Sequence, residues 1–295
     1  MPFPYLGETR VLNHVTREEA PGKFAQLSDG MTHYEYSGGD GENTVVLIPG
    51  FSVPFFIYDP TFQELSRSGC SVLRYDLFGR GWSDRPRLQY GIHLFVKQLR
   101  ELINTLEIKH VNLIGLSMGG PIAAAYVTNY SNTVDKLILI DPVGARPLNL
   151  PVLLNMVKIP LLGELIIGLV GNSGMLKSIA ADFYRFELAR PFLDAYKVQL
   201  EYQGFKRAIL STLRNNMLGE FIDVYRSVGK MKLPVLLIWG CEDKTVPFEQ
   251  NELIRTVLPD AKFHAIESSG HIPHYEKPEI VNPILASFLN DRKLA

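Results

Sequence analysis

Short, mostly apolar runs without alternation recur along the chain at residues 44–48, 111–114, 136–140 and 234–239, and residues 71–75 read as a further strand. A strand with one wet face would alternate apolar and polar positions, so these runs predict strands covered on both faces of a sheet. A further strand is expected at 262–266. Between the runs the spacing becomes helical: Leu94, Leu99, Leu102, Ile103 and Leu106 recur at intervals that share one helix face over residues 93–106. Asp59 followed by Pro60 reads as an N-cap and a first-turn proline, opening a helix to about residue 66. Helices are also expected over 118–130, 248–257 and 278–289. Residues 24–27 and 32–36 flank Ser28-Asp29-Gly30, a hairpin signal. Residues 1–25 read as an N-terminal arm.

Strand and helix alternate as far as residue 140 and again from residue 234. That rhythm predicts an α/β fold with a mostly parallel, doubly covered sheet. Between about 145 and 232 it stops, and helical patterns are expected over 151–170, 175–186, 191–215 and 219–228. The expected organisation is a core formed by residues 1–144 and 233–295, with a helical cap inserted over 145–232. Residues 151–171 are strongly apolar, but Pro151, Lys158, Pro160 and Glu164 interrupt them, so no membrane-spanning helix is expected. Leu153, Leu154, Leu161, Leu162, Leu165, Ile166, Ile167 and Leu169 extend around more than one helical face. They are expected to bury one side against the core and to offer the surplus to other cap helices, to an acyl chain or transiently to a lipid surface.

Composition narrows the function classes. With 295 residues, 46% of them hydrophobic, the chain can bury a sizeable core. A formal net charge of −1 gives no basic surface to attract nucleic acid. The start, Met1-Pro2-Phe3-Pro4-Tyr5, has no basic run leading into an apolar stretch, so no secretory leader is expected. Cys70 and Cys241 are too few for a disulfide framework, and reduced thiols in a cytoplasmic protein are the simplest expectation. No metal-ligand cluster and no phosphate-cradling glycine loop is visible, so neither metal nor cofactor is expected.

The chemistry concentrates where the 111–114 run meets Gly115-Leu116-Ser117-Met118-Gly119 and a helical stretch follows. This is a G-x-S-x-G turn in a strand–turn–helix context. A serine nucleophile must project from a sharp, strained turn, and a Cβ two residues before or after it would clash with the crossing strand and helix. The helix that starts after Ser117 aims free N–H groups at the reacting centre. A serine hydroxyl is a weak nucleophile and needs a base. His271, in Ser269-Gly270-His271-Ile272-Pro273-His274, lies on a glycine-containing loop just after the 262–266 strand, where loops reach the carboxyl edge of a sheet. His274 is its rival, closer to the final helix. His93 and His110 fall in or beside a helix, and His14, His33 and His264 read as structural or exposed.

The base needs a carboxylate to hold its tautomer. Asp243, in Gly240-Cys241-Glu242-Asp243-Lys244-Thr245, follows the 234–239 strand. Asp141 stands in the same relation to the 136–140 strand and is a rival. The oxyanion of acyl transfer needs preorganised N–H donors. Met118, just after the nucleophile, supplies one, and Phe51, on the loop after the 44–48 strand, is the choice for the other.

Together Ile48-Pro49-Gly50-Phe51, the 76–83 loop, Gly115–Gly120, the 240–247 loop and the 270–276 loop resemble the α/β-hydrolase superfamily, in its capped, epoxide-hydrolase-like branch. The likeness spans nearly all of the chain outside the cap. It implies a Ser117–Asp243–His271 triad and an acyl-enzyme. Such proteins often carry His-Gly where this chain has Pro49-Gly50, which bears on loop packing more than on activity. Epoxide hydrolases and dehalogenases of the branch attack through aspartate, so the serine excludes those chemistries. A carboxylesterase acting on short- to medium-chain esters, with monoacylglycerols among the candidates, is the expected activity. A C–C bond hydrolase of aromatic ring-cleavage products shares triad and cap, and Arg146, Arg185 and Arg190 would be its candidate carboxylate anchors. A perhydrolase side activity and a non-catalytic ligand receptor are weaker alternatives.

Overall fold

The computed structural model describes residues 5–38, 44–148 and 155–291. Its strands are β1 (Lys23–Leu27), β2 (Gly30–Tyr36), β3 (Thr44–Ile48), β4 (Ser71–Tyr75), β5 (Val111–Leu116), β6 (Val134–Ile140), β7 (Val235–Gly240) and β8 (Lys262–Ile266). Among the described residues they form one sheet in the order β1-β2-β4-β3-β5-β6-β7-β8. The hairpin of β1 and β2 joins β4 antiparallel, and every pairing from β4 onward is parallel.

The unbroken apolar runs have a simple origin. In β3, Val46 and Ile48 point into one core cluster, while Val45 and Leu47 point into the other. Successive side chains leave opposite faces, and both faces are covered, so every position must be apolar. Burying one such side chain is worth roughly 1.5–3 kcal/mol, which makes a polar residue anywhere in this run costly. On one face lie α3 (Ile92–Thr105), α4 (Gly119–Tyr130) and α9 (Gln250–Val257); on the other lie α2 (Asp59–Arg67), the short α10 (Pro273–Glu276) and α11 (Pro278–Asn290). The edge strand β8 is mostly exposed on both faces and carries Lys262, a residue that discourages pairing with another chain.

Asp59 does not cap α2. Tyr58 is the N-cap, Asp59 is the first helical residue, and its carboxylate pairs with the guanidinium of Arg74 on β4. A buried arginine was a stronger claim on the carboxylate than a local N–H. The N-terminal arm carries a short helix, α1 (His14–Arg17), and Glu8 reaches across to accept the backbone N–H of Gly204 and Lys206.

Between β6 and β7 the described residues form α5 (Leu162–Ala181), α6 (Phe186–Leu200), α7 (Phe205–Arg214) and α8 (Ile222–Gly229). The break expected near residue 170 is absent: α5 runs through Gly171 and Gly174 because Ile167, Gly171 and Ile179 share a buried face, and tertiary burial outweighs glycine's weak propensity. The break falls at 182–185 instead. The helix expected over 191–215 starts five residues earlier, with Pro191 inside it, and splits at 201–204, where Gly204 turns left-handed at φ +90. Glu8 covers the N-terminus that this split creates, its charge satisfying N–H groups that no local side chain caps. The helix α8 packs on α4, placing Tyr225 and Val228 in the core cluster of that face.

The leucine-rich stretch is divided between a packed side and an exposed side. Ile167 is buried and Ile166 packs against the core, while Leu161, Leu165 and Leu169 are 80%, 56% and 66% exposed, so the surplus faces outward. Leu153 and Leu154 lie outside the described residues. Among the described residues no helix is long and apolar enough to cross a membrane.

Candidate active site

Ser117 occupies the turn from β5 into α4 with φ +52, a left-handed conformation rare for a side chain with a Cβ. Three backbone hydrogen bonds hold it there. Its N–H donates to Ile140 O at 2.9 Å, and its carbonyl accepts from Gly120 N at 2.9 Å and Val143 N at 3.2 Å. The turn is thus clamped to the end of the neighbouring strand β6. The flanking glycines are obligatory. A Cβ on Gly115 would lie 2.4 Å from the Gly119 carbonyl oxygen, and one on Gly119 would lie 2.3 Å from Ile48 O. Gly119→Ala is therefore expected to destabilise the protein by about 3 kcal/mol or more, since backbone cannot move aside as a side chain can. A melt should show Tm lower by roughly 6–12 °C. Gly174→Ala is the control: its Cβ meets nothing within 4 Å, and α5 should gain slightly.

His271 and Asp243 are brought together by the loops that follow β8 and β7. The Nδ1 of His271 and Oδ2 of Asp243 are 2.7 Å apart, and both side chains are buried. Asp243 Oδ1 accepts the backbone N–H of Thr245 at 2.8 Å and of Val246 at 2.9 Å. Burial opposes a charge on His271, but the charge and hydrogen bond of Asp243, with Asp182 behind them, outweigh it and hold the imidazole above its ordinary pKa. Asp141 is completely buried and close by: a carboxylate oxygen of Asp141, one of Asp243 and a ring nitrogen of His271 all lie within 4.8 Å of one another. Such a group has metal-ligand composition. Its 2.7 Å contact, however, is a hydrogen bond, and two ligand atoms each about 2.0–2.2 Å from a zinc ion would stand farther apart than that.

The rival histidine sits elsewhere. His274 is wholly buried beside the Tyr58 ring, and burial drives its pKa down to about 3. It stays neutral and packed. His33 is buried too, with Nδ1 2.7 Å from Asp76, whereas His14, His93, His110 and His264 are exposed.

The Gly50 backbone approaches Ser117 closely enough that a Cβ on it would lie 3.3 Å from the Ser117 Cβ. This brings the loop after β3 over the serine. Among the described residues, no carbonyl or side chain takes the N–H of Phe51 or of Met118.

Four supporting residues escaped the sequence reading. Arg80 is completely buried and donates from Nε to Phe51 O at 2.8 Å, from Nη1 to Phe78 O at 3.1 Å and from Nη2 to Thr212 Oγ1 at 2.9 Å. Burial lowers its pKa to about 10, so it remains charged at neutral pH and pins the Phe51 loop. Gln199, on α6, grips the same loop by donating to Ser52 O at 2.8 Å. Glu276 accepts Gly270 N at 2.6 Å and Ser269 Oγ at 3.2 Å on one oxygen and Arg185 N at 2.8 Å on the other. Asp182 accepts His271 N on its carbonyl at 2.8 Å and Thr245 Oγ1 on its side chain at 2.5 Å. The 182–185 break between α5 and α6 is thereby clasped to the loops that carry His271 and Asp243. Arg80 and Glu276 lie in the 76–83 and 270–276 loops, whereas Gln199 and Asp182 join positions remote in sequence and leave no local signal.

A parallel sheet with helices on both faces, a left-handed serine turn and a His–Asp pair at the carboxyl ends of its strands define an α/β-hydrolase fold. The chain belongs to the alpha/beta hydrolase family, which it matches over residues 45–284. It is 27% identical over 287 residues to a 2-hydroxy-6-oxononadienedioate/2-hydroxy-6-oxononatrienedioate hydrolase of Paraburkholderia phymatum, covering 92% of this chain and 96% of that one. Its fold matches an enol-lactonase from Burkholderia xenovorans with a TM-score of 0.78, at 20% identity over 91% of this chain and 100% of that one. An esterase from Exiguobacterium antarcticum matches with a TM-score of 0.76, at 23% identity over 91% and 99% of the two chains.

Proposed function

We propose that the protein is a serine hydrolase of carboxylic esters, with Ser117 as nucleophile, His271 as base and Asp243 as the acid that orients it, beneath a helical cap formed within residues 145–232. The observation that carries this reading is the left-handed Ser117 turn in the same fold as a buried 2.7 Å His271–Asp243 pair. Because Nδ1 of His271 is committed to Asp243, Nε2 is left to exchange protons with Ser117. Ser117 Oγ attacks the ester carbonyl as His271 takes its proton. The N–H groups of Phe51 and Met118, unclaimed among the described residues, receive the oxyanion. His271 then protonates the departing alcohol. Water, activated by the same histidine, hydrolyses the acyl-enzyme.

A second reading, C–C bond hydrolysis, is favoured by the likeness to the dienedioate hydrolase. Against it, the three arginines that could anchor a substrate carboxylate are exposed, and Arg185 pairs with Glu187 on the surface. Esters are therefore the preferred class. With Leu161, Leu165 and Leu169 facing outward, little of that stretch is left to line a long acyl pocket, so short to medium chains are the proposed substrates.

Nitrophenyl esters of increasing chain length separate the readings. Each methylene buried is worth about 0.8 kcal/mol, or about fourfold in kcat/KM, so the value is expected to climb from acetyl toward about octanoyl and then fall. A ring-cleavage dienoate is the control. Turnover of the dienoate above that of every ester would establish the C–C reading, and a flat ester profile would remove the acyl pocket.

A further inference from the structure

Asp141 carries more structural commitment than a strand-ending aspartate requires. It follows β6 with φ +43, a left-handed conformation for a non-glycine residue, and its own N–H donates to Ile238 O at 3.0 Å. Its side chain is completely buried. One oxygen, Oδ1, accepts Gly240 N at 2.9 Å, tying it to the end of the strand from which the Asp243 loop departs. The other, Oδ2, is buried and receives no N–H or hydroxyl among the described residues.

Asp243 is provisioned quite differently. Its two oxygens accept two backbone N–H groups and the imidazole. Two buried carboxylates this close cannot both keep a full charge, and the better-solvated one keeps it. The charged groups around Asp141 are Asp243, the His271 imidazole and, further off, Glu276, with Asp182 beyond His271. All but the histidine are acids, so the surroundings favour a proton.

We propose that Asp141 is a neutral carboxylic acid whose Oδ2–H donates to Asp243, making it a positioning residue for the Asp243–His271 pair. The proposal rests on the triad reading above. Burial, followed by the negative charge of Asp243, pushes the Asp141 carboxyl well above the usual range, which agrees with the geometry. The proton gives the orphaned oxygen a partner, and it steadies Asp243 as an anion without adding a second negative charge beside the imidazole. The left-handed backbone is what aims the carboxyl inward.

The test combines infrared spectroscopy with pH profiles. Wild-type protein is expected to keep a protonated-carboxyl band at about pH 8, far above the ordinary carboxylate range, and Asp141→Asn to lose it. In Asp243→Asn the neighbouring charge is gone, so the same band should titrate at lower pH. That measurement supports the proposal even where Asp141→Asn fails to fold. No such band in the wild type, or a band indifferent to both substitutions, overturns it.

The kinetic readout has a sign. Asp141→Leu removes a donor from Asp243, which then pulls harder on the imidazolium proton. The acid limb of kcat/KM should move up by about 0.5–1 pH unit and the plateau should fall about tenfold. Asp141→Asn keeps an N–H donor and should recover most of both. Were Asp141 ionised, either substitution would remove a negative charge near His271 and move the limb down; that result overturns the proposal. A large rate loss in Asp141→Asn with little in Asp243→Asn overturns the triad assignment as well. The infrared band reads the proton regardless of rate, so the two failures are distinguishable.

Discussion

Ser117→Ala is expected to abolish turnover of every ester, with kcat lower by about 10⁴–10⁶, because no other activated nucleophile stands in its place. His271 would remain, but its Nε2 would have no hydroxyl to deprotonate. Residual activity would come only from the N–H groups of Phe51 and Met118 and from substrate binding. Alanine keeps the Cβ, and the left-handed turn is held by backbone hydrogen bonds, so the fold should survive and Tm should change little. A fluorophosphonate probe is expected to label the wild type at Ser117 and to leave the alanine variant unlabelled. Labelling at another serine, or esterase activity near normal in the variant, would remove the assignment.

Asp243→Asn carries the second-largest expected effect, a loss on the order of 10⁴ in kcat, by analogy with the triad template. The amide can present an N–H to Nδ1 and so favour the wrong tautomer, and it cannot stabilise the imidazolium. The pH profile supplies the sign. Asp243 is what holds His271 above its ordinary pKa against burial. Without it burial dominates, the imidazole becomes a weaker base, and the acid limb of the residual activity should move to lower pH. A smaller loss than that of Asp141→Asn would transfer the acid's role to the residue after β6.

Much of this was legible locally. The strands could be read because they lie between two helical layers, which forces β3, β5 and β7 to be apolar at nearly every position. The serine turn could be read because its glycines answer a steric demand within five residues. Asp243 and His271 could be read from their places just after strands, where loops converge. The helical segment was legible only as helical. Its breaks depend on which face each helix buries, so Gly171 continued a helix and Gly204 ended one. Asp59 misled because a capping signature is local, while its actual partner, Arg74, arrives from another strand.

Residue order alone pointed to the strands, the strained turn and the candidates for nucleophile, base and acid, with Asp141 left as a rival to Asp243, because each follows from neighbours within one element or one loop. The tertiary structure alone decided that the leucine stripe faces outward, that Arg80 and Gln199 hold the Phe51 loop, and that Glu276 and Asp182 clasp the 182–185 break to the histidine loop. It also placed Asp141 beside Asp243 with an oxygen that receives no donor among the described residues. The physical reason is common to all of these: burial and charge pairing act through space, and they join side chains from β6, β7 and the loop after β8 whose separation along the chain carries no trace of the contact.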